Sequence, residues 1–186
     1  MISYDLNKFL KEELKNGSID LVTRPSGQVM RERIEKDILK EDEGSVIALD
    51  FSGIGIIDYS CADEIVTKLI SRLLSNEYGD KYLLLTGLNE NQQENIEVAL
   101  ERKELAVIAE KREGKKFLLR SLNNYLRETL ELIVRNGRIT ARELADMVKI
   151  EANTSGTRLL NLHKKRLVMR RDEMRDASRV WIYEKF

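Results

Sequence analysis

Hydrophobic positions along the chain switch between helical and strand spacing, and the switches predict the elements. Leu6, Leu10 and Leu14 recur every fourth residue over Tyr4 to Lys15, predicting a short amphipathic helix ended by Asn16-Gly17. Ser18 to Val22 (SIDLV) reads as a strand. Pro25 suits a first helical turn, where its missing N–H costs nothing. Val29, Ile34, Ile38 and Leu39 then give a helical stripe, which Glu41-Asp42-Glu43-Gly44 breaks. Val46 to Phe51 (VIALDF) and Tyr82 to Thr86 (YLLLT) are nearly continuous apolar runs, the pattern of strands covered on both faces. Between them, Ser52-Gly53-Ile54-Gly55 makes a turn and Ile56-Ile57 a short apolar extension. Ile65, Val66, Leu69, Ile70, Leu73 and Leu74 follow as the stripe of an amphipathic helix. Ser60, with Asp63 three residues on, fits a capping pattern and is predicted to be the N-cap of that helix.

Asn89 to Glu104 reads as a polar helix with Ile96, Val98, Ala99 and Leu100 turned inward. Leu105 to Ala109 and Lys116 to Leu119 read as short strands around the turn Arg112-Glu113-Gly114. Strands alternating with helices predict an α/β sheet with helices packed on it. The character changes after about Leu119. Leu122, Leu126, Leu130 and Ile133 share one helical face, and Asn136-Gly137 stops that helix. Thr140-Ala141-Arg142-Glu143 is a capping box that opens a second helix through Leu144, Ala145 and Val148. A third helix runs from about Asn153 to Arg166, and Leu167 to Arg171 can pair with Arg179 to Glu184 as a hairpin. Helix, short strand, helix, turn, helix, β-hairpin is the order of a winged helix. The expected organisation is an α/β domain over residues 1–119 and a mainly α winged-helix domain with a β-hairpin wing over 120–186.

Composition narrows the class. The chain has 186 residues, 42% hydrophobic and 34% charged, enough apolar content to exclude a disordered chain. No apolar run approaches the roughly 20 residues that a membrane span needs. The opening MISYDLNKFLKEEL carries charges throughout and no signal-peptide stretch, so the expectation is a cytoplasmic protein that does not engage a membrane. A single cysteine, Cys61, cannot close an intramolecular disulfide, and one cysteine with one histidine argues against a zinc site. Formal charge is zero overall but unevenly spread. Residues 1–120 hold 18 basic and 23 acidic side chains, whereas residues 121–186 hold 14 and 9. A basic segment attracts polyanions.

Candidate chemistry follows that split. In a helix-turn-helix the second helix braces and the third lies in the major groove. Leu144 and Val148 would hold the bracing helix, while Leu159, Leu162 and Leu167 would anchor the third. The opposite face of the third helix is expected to carry Thr154, Ser155, Thr157, Arg158 and Asn161. Arg can grip guanine and Asn adenine, and hydroxyls can reach bases or phosphates. Lys164, Lys165, Arg166, Arg170, Arg171, Arg175 and Arg179 form a basic run into the hairpin, suited to phosphate contact. The segments GRITARELADMV, SGTRLLNLHKKRLVMRR and RVWIYEK resemble the winged helix-turn-helix transcription-regulator superfamily. The resemblance implies that the third helix reads double-stranded DNA and the wing touches the backbone or minor groove. Many relatives carry glycine just before the closing Leu-Val, where this chain has Arg166. Winged helices also serve as protein-docking modules.

The segments TRPSGQVMRERIEKDI and VIALDFSGIGIIDYSCADEIVTKLI resemble the sulfate-transporter and anti-sigma-factor antagonist (STAS) superfamily, most nearly its STAS-like branch, over about residues 18–110. In bacterial antagonists of that kind the serine of a D-x-S-G motif is phosphorylated by a partner kinase. Asp58-Tyr59-Ser60-Cys61 matches except that Cys61 stands for the glycine. The resemblance therefore implies Ser60 as a phosphorylation or partner-docking site beside Asp58, with a protein kinase or sigma-type protein as partner. An unmodified cap is the alternative for Ser60. Gly53-Ile54-Gly55 lacks the third glycine and following helix of a dinucleotide fingerprint, and His163 has no Ser or Cys nearby to activate. No nucleophile–base pair, phosphate-cradling loop or metal cluster is visible, so neither enzyme activity nor a cofactor is expected. The expectation is a bacterial-type transcription regulator working through paired half-sites as a homodimer. The alternative is a partner-switching adaptor that binds proteins only.

Overall fold

Parallel pairing of the apolar runs organises the first of two compact units, Met1–Arg120 and Ser121–Phe186. The computed structural model describes residues 1–15, 17–120, 122–175 and 178–186, with Arg175 described in its backbone alone. The first unit runs β1 (Ile2–Asp5), α1 (Leu6–Leu14), α2 (Arg24–Ile38), β2 (Val46–Asp50), α3 (Tyr59–Ala62), a π-helical segment (Asp63–Thr67), α4 (Lys68–Leu74), β3 (Tyr82–Thr86), α5 (Glu90–Arg102), β4 (Val107–Glu110) and β5 (Lys116–Leu119). The strands lie in the order β1-β2-β3-β4-β5. The first four are parallel, with Ile47 beside Ile2 and Leu83, and β5 closes the sheet antiparallel to β4.

Right-handed crossovers between strands that are neighbours in both chain and sheet place the helices on one face. The core agrees. Ile47, Leu49, Leu83, Leu85, Val107 and Ala109, all of one parity, join Leu10, Ile34, Ile65, Leu69 and Leu100 from the helices. Val46, Ala48, Tyr82, Leu84 and Ile108 alternate with them and are also buried, on the sheet's other face. Both parities of β2 and β3 are thus apolar, as their unbroken runs require.

Helix α2 approaches α3 closely at Gly27. A Cβ there would lie 2.9 Å from the Cys61 Cα and 3.0 Å from the Glu64 Cβ. The Cys61 thiol donates to the Thr23 carbonyl at 2.9 Å, and burial pushes its pKa up to about 11. Around this contact runs a largely buried ionic network. Glu64, in the π segment, meets Arg24 at 2.7 Å, Arg31 at 3.3 Å and Lys68 at 2.5 Å. Glu35 meets Arg31 at 2.8 Å and Arg72 at 2.5 Å, and accepts from the Tyr78 hydroxyl at 2.7 Å. These cations outweigh burial and hold the Glu64 carboxyl below its ordinary range.

Four expectations need correction, and the simplest is Leu39, which is the C-cap of α2 and 61% exposed instead of continuing its apolar stripe. Ser18–Val22 is not a sheet strand: only Leu21 pairs, in an isolated bridge with Ile57, and Ile19 and Val22 are exposed. The place beside β2 is taken by β1, whose last two residues, Tyr4 and Asp5, fall within the stretch expected to be helical from Tyr4. Ser60 is not the N-cap. Asp58 caps α3, its carboxylate accepting from the Cys61 amide at 2.8 Å, because an anion also complements the positive helix end. Val98 does not turn inward. It is 45% exposed, while Gln92, Ile96, Ala99 and Leu100 at 3–4-residue spacing form the buried stripe.

The second unit runs α6 (Asn124–Asn136), β6 (Arg138–Thr140), α7 (Ala141–Val148), α8 (Ala152–Lys164), β7 (Met169–Arg175) and β8 (Ser178–Glu184). Its small sheet has the order β6-β8-β7. Leu126, Leu130 and Ile133 of α6 are buried, as are Leu144 of α7, Leu159 and Leu162 of α8, and Ile139, Leu167, Val168 and Ile182. The Thr140–Glu143 capping box forms as the spacing predicts. Val148 is half-buried.

Candidate nucleic-acid interface

Two anchors fix α8. On its inner side Leu159 and Leu162 are fully buried. Near its start the buried Ser155 hydroxyl donates to the Ala141 carbonyl of α7 at 2.5 Å and to the Ala152 carbonyl at 2.8 Å. Ser155 therefore cannot reach a groove. A hydroxyl with two backbone acceptors at hand is stabilised by burial there, and the position serves as a staple between the two helices.

Arg158 is also displaced from the expected face. Its side chain is 19% exposed, its guanidinium lies 5.3 Å from the Tyr125 ring centroid, and it meets Glu128 at 3.5 Å. Both partners belong to α6. The aromatic face and the carboxylate attract the planar cation and hold it against α6. The outward side of α8 is left to Asn153, Thr154, Thr157 and Lys164, all exposed, with Leu160 and Asn161 half-exposed beside them. Asn153 joins this side because α8 begins at Ala152, one residue earlier than the sequence pattern predicts. The signal for Asn153 in the sequence is the four-residue spacing to Thr157.

The end of α8 shows how Arg166 fills a position where glycine is usual. Arg166 adopts the left-handed conformation (φ 57°), its amide donates to the His163 carbonyl at 2.8 Å, and the Leu167 amide donates to the Leu162 carbonyl at 3.1 Å. This is a Schellman turn made without glycine. It directs Leu167 and Val168 into the core and starts β7. Lys165 is half-buried at the cap, and the His163 Nδ1 lies 3.4 Å from the Val168 carbonyl.

Across the hairpin, Asp172 faces Trp181 and Arg170 faces Tyr183. The Arg170 guanidinium stacks on Trp181, 3.6 Å from its centroid, and Arg179 lies 5.1 Å from the same ring. Trp181 is nonetheless 40% exposed. The run is partly self-neutralised: Arg179 pairs with Asp172 at 2.8 Å and Arg171 with Glu184, while Glu173 of the hairpin meets Arg138 of β6 at 3.6 Å. The Arg175 side chain lies outside the described residues.

Asp58 and Ser60 stand in the first unit. The Ser60 hydroxyl donates to Asp58 at 2.9 Å, and both side chains are half-buried. Among the described residues no cluster of His, Cys, Asp and Glu could hold a metal ion, and no helix is long and apolar enough to cross a membrane.

Helix, strand, two helices and a hairpin, with the second and third helices stapled at their N-terminal ends, define a winged helix-turn-helix unit. Residues 122–169 match the sequence model of a family described as winged helix-turn-helix DNA-binding. The match takes in α6 through the start of β7 and does not extend into the first unit. Comparison with curated proteins gives no match.

Proposed function

We propose that the chain is a DNA-binding transcription regulator that lays α8 in the major groove and rests its wing on the phosphate backbone. The observation that carries this reading is the sidedness of α8. Leu159 and Leu162 are fully buried, while Asn153, Thr154, Thr157 and Lys164 face solvent with donors, acceptors and a charge. Lys164, Arg171 and Arg179 supply phosphate contacts, the last two by exchanging carboxylates for phosphates. No catalytic step belongs to this reading.

Regulation is assigned to the first unit. A phosphate on Ser60 would stand against the Asp58 carboxylate that now accepts its hydroxyl, and repulsion would displace the cap of α3. A kinase or sigma-type protein docking at this helix end, with dimer geometry as the output, is the form of control proposed. The ion pairs within the wing favour a second reading, a protein-docking adaptor, because they leave less free charge for phosphate.

One titration separates them. Full-length protein is bound to a duplex at increasing salt, beside Lys164→Ala. The regulator reading expects affinity to fall steeply with salt and the variant's salt slope to be shallower by about one. Absence of duplex binding at low salt removes the reading and leaves the adaptor.

A further inference from the structure

The solvent face of α8 has a chemical bias. Its side chains are Asn153, Thr154, Thr157, Leu160, Asn161 and Lys164. No arginine is among them, since Arg158, the only arginine within the helix, is turned to Tyr125 and Glu128. Each base pair offers a distinct edge in the major groove. Guanine is gripped by Arg or Lys at O6 and N7, adenine by an Asn or Gln amide at N6 and N7, and the thymine methyl by small apolar groups. The amides of Asn153 and Asn161 make no hydrogen bond among the described residues, so their donors and acceptors are unspent. The Thr157 hydroxyl donates back to the Asn153 carbonyl at 2.9 Å, which leaves its methyl as the group to present. Leu160 adds apolar surface between them. Glu151, which could accept from cytosine, is the N-cap and lies off the side centred on Thr157.

We infer that α8 reads A·T base pairs, with Asn153 and Asn161 on adenine edges and Thr157 against thymine methyls. Lys164, a full turn beyond Leu160 and at the helix's far end, is placed for phosphate. The inference rests on the DNA-binding reading above and deepens it by naming the kind of site. It also makes Asn153, rather than Arg158, a main source of discrimination.

The test is selection by the full chain from a pool of random duplexes at fixed moderate salt, followed by sequencing. An enriched core of A·T pairs is expected. On that core, replacing adenine by 7-deazaadenine removes the N7 acceptor and should weaken binding on the order of tenfold. Replacing guanine by 7-deazaguanine should leave binding unchanged. Asn153→Ala and Asn161→Ala should each weaken binding to a similar extent and reduce the effect of 7-deazaadenine. Both substitutions are at solvent-facing helical positions where Ala is the better helix former, so folding is preserved. An enriched core of G·C pairs, or binding without sequence preference, overturns the inference while leaving DNA binding in place. No retention of any duplex overturns the proposed function itself.

Discussion

Two glycine-to-alanine substitutions should move stability in opposite directions, although both lie within helices. Gly27 is in α2, and its added methyl would fall 2.9 Å from the Cys61 Cα and 3.0 Å from the Glu64 Cβ. Backbone cannot swing aside as a long side chain can. Overpacking costs about 1–3 kcal/mol, here at the upper end, against a gain of about 1 kcal/mol in helix propensity. The expected net loss is ~2 kcal/mol. Gly156 is in α8, and its added methyl would meet only the Ala141 Cβ at 3.8 Å, an ordinary contact. There the propensity gain stands alone, about 1 kcal/mol of stabilisation. The single tryptophan, Trp181, lies in the second unit, so its fluorescence follows that unit, while far-ultraviolet circular dichroism follows both. In thermal melts of the full chain, Gly156→Ala should raise the fluorescence midpoint by roughly 5 °C, and Gly27→Ala should lower the dichroism transition by roughly 8 °C while sparing fluorescence. A Gly27→Ala protein as stable as the parent would refute the close approach of α2 and α3. A Gly156→Ala protein with a lowered fluorescence midpoint would refute the open space beside α8.

Further outcomes follow from other contacts. Arg158→Ala should lower the fluorescence midpoint, through lost packing on Tyr125, yet change duplex affinity less than twofold at fixed salt; a large affinity loss at unchanged stability would return Arg158 to the groove. Arg166→Gly relieves a left-handed residue at the end of α8 and should stabilise the second unit by about 1 kcal/mol in urea titration, with the reverse result arguing that the Arg166 side chain contributes more than the turn costs. The folded Cys61 thiol titrates near 11 against an ordinary 9.0, so its stabilising share is complete below pH 9 and lost as pH rises toward 11; iodoacetamide at neutral pH should label it only under denaturing conditions. Asp63 and Glu64 have lowered values, so their contribution holds at neutral pH and fades as pH drops through the carboxylate range, which acid unfolding followed by dichroism should show; Glu64→Gln should flatten that acid limb.

What the chain discloses in advance depends on how local the cause is. The runs Val46–Phe51 and Tyr82–Thr86, the Thr140 capping box and the α6 stripe are each decided within a few residues, and the structure has β2, β3, α7 and α6 there. Competition between distant segments is not local. SIDLV has a strand's composition, but the sheet edge it would occupy is held by β1, and no periodicity within 18–22 reveals that. The same holds at the interface. The helical spacing that brings Thr154, Thr157 and Asn161 outward was readable, yet Ser155 and Arg158 were set by partners 14 and 30 positions away, the Ala141 carbonyl and Glu128. A polar residue on a helix wheel faces water unless a neighbour claims it, and the neighbour is supplied by the fold.

Strand order has a consequence for the way the first unit is made. Because β1 through β5 line up in the order of synthesis, each hydrogen-bonding edge is complete before the segment that will use it leaves the ribosome. Nothing has to wait for a later strand to be threaded between two earlier ones. The sheet grows strand by strand at the side away from β1, and its last addition, the antiparallel hairpin strand β5, becomes that edge just before the second unit emerges.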